Sequence, residues 1–409
     1  MRSGVDCPLL ALLCLGVAQL QAAGQNTEAP RHPELGRIEV HQEAAAKSGD
    51  ADNAAQGFDT PVLGFVIGAE QGELRLLLGI PGALAMGDPL AVPTGIRNLF
   101  FAPNQSYALL ALKAGGFLGL MTFQGAEVGA VVAICGAMPQ PDIVAFSPSA
   151  STAAFYSRAE ALLQVITGLP GSPQLVRVVA GSDLPDEPRY LAVADDGVTL
   201  LEGTVHNAVY LLPQLGLPRL LYTGGDLQGM AFAPRTDDLV AFDRAAGTAF
   251  VLQDVDGSSA YLSLAEGLSG LDGNVFLETS RAGAVIASTR SDTLWEINLQ
   301  SLRVEDVRLP GAPQMLQPLR ISGDYLLFYR AGLPGWILDS NSVEGGVSFV
   351  PASAAPSKHP KPVRFSGIQQ LNNGQNEQPD MVSQGALGAA CAAVPRSTPV
   401  PKPLPRSTY

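Results

Sequence analysis

A short segment recurs through the middle of this chain at a nearly constant interval. It combines an apolar anchor, a polar turn and a second apolar run, and its clearest copies occupy residues 101–110, 146–155 and 232–242. The anchors of the seven copies are 39 to 47 residues apart, and they are Phe58, Phe101, Phe146, Val193, Phe232, Leu277 and Ile321. A repeat of this length indicates stacked units, because one unit cannot bury its own apolar faces.

Each unit continues with a third and a fourth apolar run, separated by residues that favour turns. In the unit anchored at Phe232, these runs are residues 250–252 and 260–264, joined by a stretch that contains Asp-Gly. Such short runs are typical of strands, and 44 Gly and 32 Pro among 409 residues argue against a helical bundle. The sequence therefore predicts an all-β fold, a β-propeller of four-stranded antiparallel blades, with seven blades preferred and six or eight as alternatives.

Residues 1–23 have the pattern of a secretory signal peptide. Arg2 precedes an apolar stretch that is too short to span a bilayer and that ends in the small residues Ala22, Ala23 and Gly24. The alternatives, a membrane anchor or a buried helix, would need a longer apolar run or continued periodicity. No later segment has the length of a membrane-spanning helix. We expect a periplasmic or extracellular protein with no transmembrane segment after signal removal.

The number and position of the cysteines also bear on the compartment of the protein. Loss of the signal peptide would remove Cys7 and Cys14 and leave Cys135, in an apolar run, and Cys391. Two such cysteines do not form a disulfide framework. The sequence predicts that Cys135 is a small buried apolar residue.

By composition, the chain after the predicted signal peptide divides into three parts. Residues 24–55 are small and polar and predict a flexible linker, residues 56–368 carry the repeats, and residues 369–409 predict a disordered tail with a Pro-rich end. Residues 362–368 stand one repeat beyond Ile321. We hypothesise that they add the innermost strand of the first blade or otherwise seal the ring.

The charge is unevenly distributed along the chain. The net charge is −13, with +4 in residues 352–409, −3 in residues 24–55 and a neutral signal peptide, which leaves −14 on residues 56–351. An acidic propeller is not suited to neutralising phosphates, so nucleic acid is not an expected partner.

Residues for catalysis or metal binding are scarce in the sequence. No G-x-S-x-G motif occurs, and His206 is the single histidine well inside the repeats, so we interpret it as a hydrogen-bonded structural imidazole. Asp254 and Asp256 resemble the start of a calcium loop, but Ala265 stands where the loop needs its final glutamate, and a hairpin turn is preferred. Asn104 lies in a glycosylation sequon that also fits a turn. The sequence predicts no catalytic residues, no metal site and no cofactor.

The Phe-Ser-Pro and Phe-Ala-Pro turns at Phe146 and Phe232, which recur about every 44 residues, resemble the repeats of secreted bacterial β-propellers of the YVTN and WD-repeat-like superfamily. The resemblance covers roughly residues 56–368 and implies a fold rather than an activity. The Gly-His and Trp-Asp dipeptides of true WD repeats and a recurrent Tyr-Val-Thr-Asn string are missing.

A ring of polar residues is the candidate binding site. Polar side chains stand three or four residues before six of the seven anchors, where a propeller opens its central channel, and they are Asn98, Asp142, Arg189, Gln228, Asn274 and Gln317. The first unit has Ala54 instead. A ring of mostly amides suits a neutral or zwitterionic ligand or a peptide. The alternative is that these positions are polar because strand ends meet solvent.

The leading functional hypothesis is an exported, monomeric propeller that acts as a scaffold for a protein, peptide or cell-envelope ligand. The alternative is a propeller hydrolase or lactonase-like enzyme that works in the central channel. A third hypothesis places the function in the Pro-rich tail, which would dock in an aromatic groove as a polyproline helix.

Overall fold

The computed structural model describes residues 60–351 except 68–73, 94, 114–115, 282, 329–333 and 343–345. Within these residues the chain forms 27 strands and one 3-10 turn, Gly181–Asp183. The strands form seven separate antiparallel sheets, of which six have four strands and the first has three. We number the sheets in chain order as blades 1 to 7.

The strands follow one another within each blade without crossovers. Blade 1 contains β1 (Val62–Ile67), β2 (Leu74–Ile80) and β3 (Ala83–Leu90), and blade 2 contains β4 (Ile96–Phe101), β5 (Tyr107–Leu112), β6 (Leu118–Gln124) and β7 (Glu127–Ile134). Blade 3 contains β8 (Ile143–Phe146), β9 (Thr152–Ser157), β10 (Leu162–Thr167) and β11 (Gln174–Ala180), and blade 4 contains β12 (Pro188–Val193), β13 (Leu200–Thr204), β14 (Ala208–Leu211) and β15 (Arg219–Thr223). Blade 5 contains β16 (Leu227–Phe232), β17 (Leu239–Asp243), β18 (Thr248–Gln253) and β19 (Ala260–Ala265), and blade 6 contains β20 (Val275–Thr279), β21 (Ala284–Ser288), β22 (Thr293–Ile297) and β23 (Val304–Arg308). Blade 7 contains β24 (Gln317–Pro318), β25 (Asp324–Phe328), β26 (Gly335–Asp339) and β27 (Gly346–Val350).

The repeated anchors mark the first strand of the blades. Phe101, Phe146, Val193 and Phe232 are the last residues of β4, β8, β12 and β16, whereas Leu277 lies within β20 and Ile321 follows β24. These first strands lie side by side, β12 against both β8 and β16, and β16 against β20. First strands that contact one another surround a common axis, so the prediction of a seven-bladed propeller is confirmed.

The core lies between blades, because each sheet buries both of its faces against its neighbours. Second strands such as β9 and β17 are buried along their whole length, and Phe155 and Phe242 are fully buried. The outer strand β11 instead alternates between exposed and half-buried residues. The apolar clusters join neighbouring blades, which makes each blade depend on the next for its stability.

The ring closes between blade 7 and blade 1. The outermost strand β27 lies beside β3, and Leu63 and Leu77 of blade 1 pack in one cluster with Leu326 and Val350 of blade 7. Because β3 contacts the outermost strand of blade 7, it is itself the outermost strand of blade 1. The inner edge of the described part of blade 1 is therefore β1.

Gln105 covers the inner edge of β1. Its side chain is fully buried, and its Oε1 accepts the N–H of Phe65 (2.7 Å) while its Nε2 donates to the carbonyl oxygens of Phe65 (3.1 Å) and Pro318 (2.7 Å). Gly64 leaves room for this amide, since a Cβ there would stand 2.6 Å from Gln105 Oε1. One side chain from blade 2 therefore bonds to blades 1 and 7 in the way a neighbouring strand would.

The alternation of strand direction gives the propeller two faces. We call the side that carries the connections between blades, together with the turns between second and third strands, the entry face. The turns that follow the anchors lie on the opposite side, the anchor face. On the anchor face Ser149 Oγ donates to Asp195 Oδ1 (2.6 Å), and Asn104 Oδ1 accepts the Ser106 N–H (3.0 Å), so the sequon forms the predicted turn.

Several sequence predictions fall outside the described residues. These are the signal peptide (1–23), the linker (24–55), the tail (369–409) and the sealing segment (362–368). No helix among the described residues is long and apolar enough to span a membrane.

The prediction for Cys135 was wrong. Cys135 follows the last residue of β7, is exposed, and forms a disulfide. The apolar run that contains it is the outermost strand of blade 2, where alternate side chains face solvent, so an apolar run did not imply a buried cysteine.

Candidate functional site

Five of the six predicted ring residues lie at the entry face, whereas Gln317 pairs with Leu326 in the middle of β25, and the six differ in exposure. Asn98, Asp142 and Asn274 are exposed, Arg189 and Gln317 are half-buried, and Gln228 is buried. In blades 2, 4 and 5 the pairing of first and second strands is irregular around the second residue, which is Arg97, Arg189 and Gln228 respectively. Arg97, rather than Asn98, is therefore the structural counterpart of Arg189, a one-residue offset that anchor counting did not resolve.

Asp226 brings two of the ring residues together. It lies 3.8 Å from the Arg189 guanidinium, it accepts a 2.5 Å hydrogen bond from Gln228 Nε2, and Arg244 Nε donates to it at 2.7 Å. Asp226 lies just before β16 and Arg244 just after β17, so the cluster belongs to the entry face. The sequence had not singled out Asp226, although it stands two residues before Gln228.

Asp243 holds this cluster from beneath. Its carboxylate is buried and accepts the N–H groups of Gly225 (2.8 Å) and Asp226 (3.0 Å) and the Tyr222 hydroxyl (2.9 Å). Burial would raise the pKa of Asp243, but these donors outweigh it and hold the pKa below its usual value. An ionised Asp243 thus fixes the backbone that carries Asp226.

The remaining ring residues do not converge. Asp142 Oδ2 accepts the N–H of Arg158 (2.7 Å), and Gln317 Nε2 donates to the Phe65 carbonyl (2.7 Å) at the ring closure. Asn98 and Asn274 present exposed side chains in blades 2 and 6. The structure thus separates the ring into the Asp226 cluster, a structural contact at Gln317 and dispersed exposed residues.

A cleft of about 290 Å³ opens on the entry face at the boundary of blades 3 and 4. Blade 3 contributes the end of β9 and the turn after it, and the connection into β12 supplies the other wall. Its lining residues are Tyr156, Arg158, Ala161, Gly181, Leu184, Asp186 and Glu187. We call this site the blade 3–4 cleft.

An ion pair and a hydrogen-bonded His–Asp pair border the blade 3–4 cleft. Arg158 Nε lies 2.9 Å from Glu187 Oε1, and His206 Nδ1 lies 2.5 Å from Asp186 Oδ2. Burial would raise the pKa of Asp186, but its hydrogen bonds, above all with His206, hold the pKa below its usual value. His206 is hydrogen-bonded as the sequence predicted, but it lies on the turn after β13 and its side chain is 82% exposed.

Glu202 lies beneath this cleft in the middle of β13. It is completely buried, and neither carboxylate oxygen has a hydrogen-bond partner. Leu200, two residues before it, packs against blade 3, and Thr204, two residues after it, bonds to Asp186. Glu202, on the same side of the strand, therefore points toward blade 3 beneath the cleft, without being one of the cleft's lining residues. Burial, followed by the charge of Asp186, raises the pKa of Glu202 to about 8.

A second group of carboxyls, half-buried in surface exposure, lies between blades 6 and 7. Glu278, Glu296 and Glu305 stand in one row across blade 6, with Val285 between the first two. Burial raises the pKa of Glu278 to about 8 and, together with Glu305 and Asp339, that of Glu296 to about 7. These groups face the blade interface rather than a cleft, because Val285 packs there against blade 7.

Metal ligands are not assembled in the described part of the chain. No three His, Cys, Asp or Glu side chains there are grouped closely enough to hold a metal ion. Asp254 lies in the turn between β18 and β19, and its Oδ2 accepts the Ser258 N–H (3.1 Å). The hairpin interpretation of the Asp254 segment therefore fits the structure better than the calcium loop.

Comparisons with known proteins give similarity of structure only. No known protein family and no curated protein matches the sequence. Solved structures similar to this chain include a functionally unknown protein from Desulfotomaculum acetoxidans (13% identity, 60% of this chain and 79% of that chain, TM-score 0.42) and a chain of the nidogen/laminin complex (17%, 61% and 93%, 0.40). A prolyl endopeptidase is also similar (12%, 73% of this chain and 51% of that chain, 0.42). At these identities and TM-scores the similarities carry no argument about activity.

Proposed function

We propose that this protein is an exported propeller of the YVTN and WD-repeat-like kind that binds a protein, peptide or cell-envelope ligand on its entry face. The observation that carries the proposal is the blade 3–4 cleft, whose polar walls are already held in place by the Arg158–Glu187 ion pair and the His206–Asp186 hydrogen bond. Groups fixed before binding lose little conformational entropy when a ligand arrives, which favours recognition. The proposed partner class remains the one that the sequence predicted.

The proposal of export has support from Cys135. Disulfides persist in oxidising compartments and are rare in the cytosol, and Cys135 is disulfide-bonded. The signal-peptide pattern of residues 1–23 points in the same direction.

Binding at the cleft can be tested with the purified mature protein and a random peptide library, followed by titration of selected peptides. We expect the double variant Arg158→Ala/Glu187→Ala to weaken binding at least tenfold, on the order of 1.4 kcal/mol, because it removes a fixed wall of the cleft. The control Asp237→Asn, an exposed change on the anchor face, should bind as the wild type does. Equal affinity of all three proteins would contradict the proposal, and loss of binding only after deletion of residues 369–409 would place the function in the tail.

The hydrolase alternative has one observation in its favour, the His206–Asp186 pair. A histidine oriented by a carboxylate can act as a general base. However, the residues that line the cleft include no Ser, Thr or Cys nucleophile. We expect His206→Ala to leave any ester or lactone hydrolysis of the preparation unchanged, and a proportional loss of turnover would favour the enzyme.

A further inference from the structure

We propose that the blade 3–4 cleft recognises an organic cation, a guanidinium or ammonium group, that Asp186 provides the opposing charge, and that the buried Glu202 adds to this charge by ionising when the cation binds. This inference rests on the proposed binding function and names the chemical group that the cleft accepts. The group can belong to an Arg or Lys side chain of a peptide or to a free amine.

The charges around the cleft favour a cation. Asp186 and Glu187 line it, Asp142 bonds to the backbone at its edge, and Glu202 lies beneath it, whereas Arg158 is its one lining cation. Arg158 is bonded to Glu187, and His206, which bonds to Asp186, extends into solvent. A ligand cation can therefore approach Asp186 without displacing a buried group.

Glu202 gives the cleft a feature that an ordinary acidic surface lacks. A buried carboxyl without a hydrogen-bond partner is costly to the fold, and here both oxygens of Glu202 are in that condition. The groups that face Glu202 are Asp186 from the connection into β12, Tyr156 from β9 and Tyr210, its cross-strand neighbour on β14. None of them supplies a positive charge, so nothing within the fold favours the ionised form of Glu202, whereas a ligand cation beside Asp186 would favour it.

The chemistry of the walls favours an organic cation over a metal ion. Within the residues that the structure describes, three metal ligands are not grouped anywhere, the cleft included. Tyr156, Ala161 and Leu184 also line the cleft and offer apolar surface to a carbon stem. A volume of about 290 Å³ is suited to one long side chain rather than to a folded domain.

Ligand binding should be coupled to a proton. The negative charge of Asp186 helps to keep Glu202 protonated, so a positive charge placed beside Asp186 must favour the ionised form of Glu202. Binding near pH 7 therefore releases a proton, and affinity increases as the pH rises from 6 to 8. Direct contact with Glu202 is not needed, because the charges interact through a poorly polarisable interior.

The experiment is calorimetric titration of the full mature protein with agmatine and, separately, with a short Arg-containing peptide, each in two buffers of different ionisation enthalpy. We expect the observed enthalpy of the wild type to depend on the buffer, with release of close to one proton per ligand. Glu202→Gln should abolish that dependence and weaken binding about tenfold. Glu127→Gln, an exposed change on β7, is the matched control and should behave as the wild type.

The outcomes separate this inference from the proposed function. Buffer-independent binding, binding unaffected by Glu202→Gln, or no binding of either probe would overturn the cation site. If peptides selected from the library bind irrespective of their charge, the proposed peptide-binding function would be supported and the cation site would not. Agmatine binding without peptide binding would support the cation site with a free amine as ligand and contradict the proposed peptide ligand. A cooperative melting curve for Glu202→Gln would show that the variant is folded, so that a loss of binding cannot be attributed to unfolding.

Discussion

Replacement of Gln105 by alanine is expected to destabilise the whole propeller. The change would leave the buried N–H of Phe65 and the carbonyl of Pro318 without the partners they have in the native protein, while Gln317 continues to bond the Phe65 carbonyl. Two unsatisfied buried groups cost about 3 kcal/mol together, which corresponds to a decrease in Tm of roughly 5–10 °C for a domain of this size. Differential scanning calorimetry measures the effect.

The variants at this position also test the mechanism. Gln105→Glu should be worse than Gln105→Ala, because an ionised carboxylate cannot donate to Pro318 and would be buried. Gln253→Ala removes an exposed glutamine from β18 and should leave Tm unchanged. If Gln105→Ala melts within a degree of the wild type, the amide does not close the ring.

Stability is expected to fall as the pH rises from 5 to 8, which is unusual for an acidic protein. The pKa values of Glu202 and Glu278 are raised to about 8, and those of Glu296 and Asp324 to about 7, in each case chiefly by burial. The unfolded chain releases these protons near pH 4 to 4.5, so between that pH and 8 the folded state binds more protons. Each increase in pH therefore favours the unfolded state.

We expect Tm to decrease by an amount on the order of 10 °C between pH 5 and pH 8. Thermal melting monitored by circular dichroism at each pH measures this decrease. The lowered pKa values of Asp186 and Asp243 have the opposite sign, but their contribution is lost only when the pH falls through values below the usual range. Glu202→Gln and Glu296→Gln should each raise Tm at pH 8 and flatten the profile. A Tm that rises from pH 5 to pH 8 would be incompatible with these buried acids.

The repeat made the fold predictable, because four of the seven anchors that it defines are the residues that end inner strands. Phe101, Phe146, Val193 and Phe232 occupy equivalent positions in four blades, and their spacing reflects the number of residues that a four-stranded blade needs. Blade 1, whose anchor Phe58 lies outside the described residues, has three described strands.

The candidate site was less predictable, for physical reasons that differ between residues. A count of four residues back from the anchors gives Arg97, Arg189 and Gln228, the positions of irregular pairing, whereas a count of three at Phe101 gives Asn98. Glu202 stands in an apolar run, where its position on a buried strand was a usable signal. Its lack of a partner depends on what blade 3 places opposite it, and this is a tertiary property.

The most direct test of the account is to map the ligand onto one face of the propeller by photocrosslinking. A photoreactive amino acid would replace Glu160 or Asp183, which adjoin the cleft residues Ala161 and Leu184 on the entry face, and Asp237 or Asp256 on the anchor face, all of them exposed. With a peptide selected for binding, we expect crosslinks from the entry-face positions. These crosslinks should disappear when the protein also carries the Arg158→Ala/Glu187→Ala substitutions. Crosslinks confined to the anchor face would contradict it.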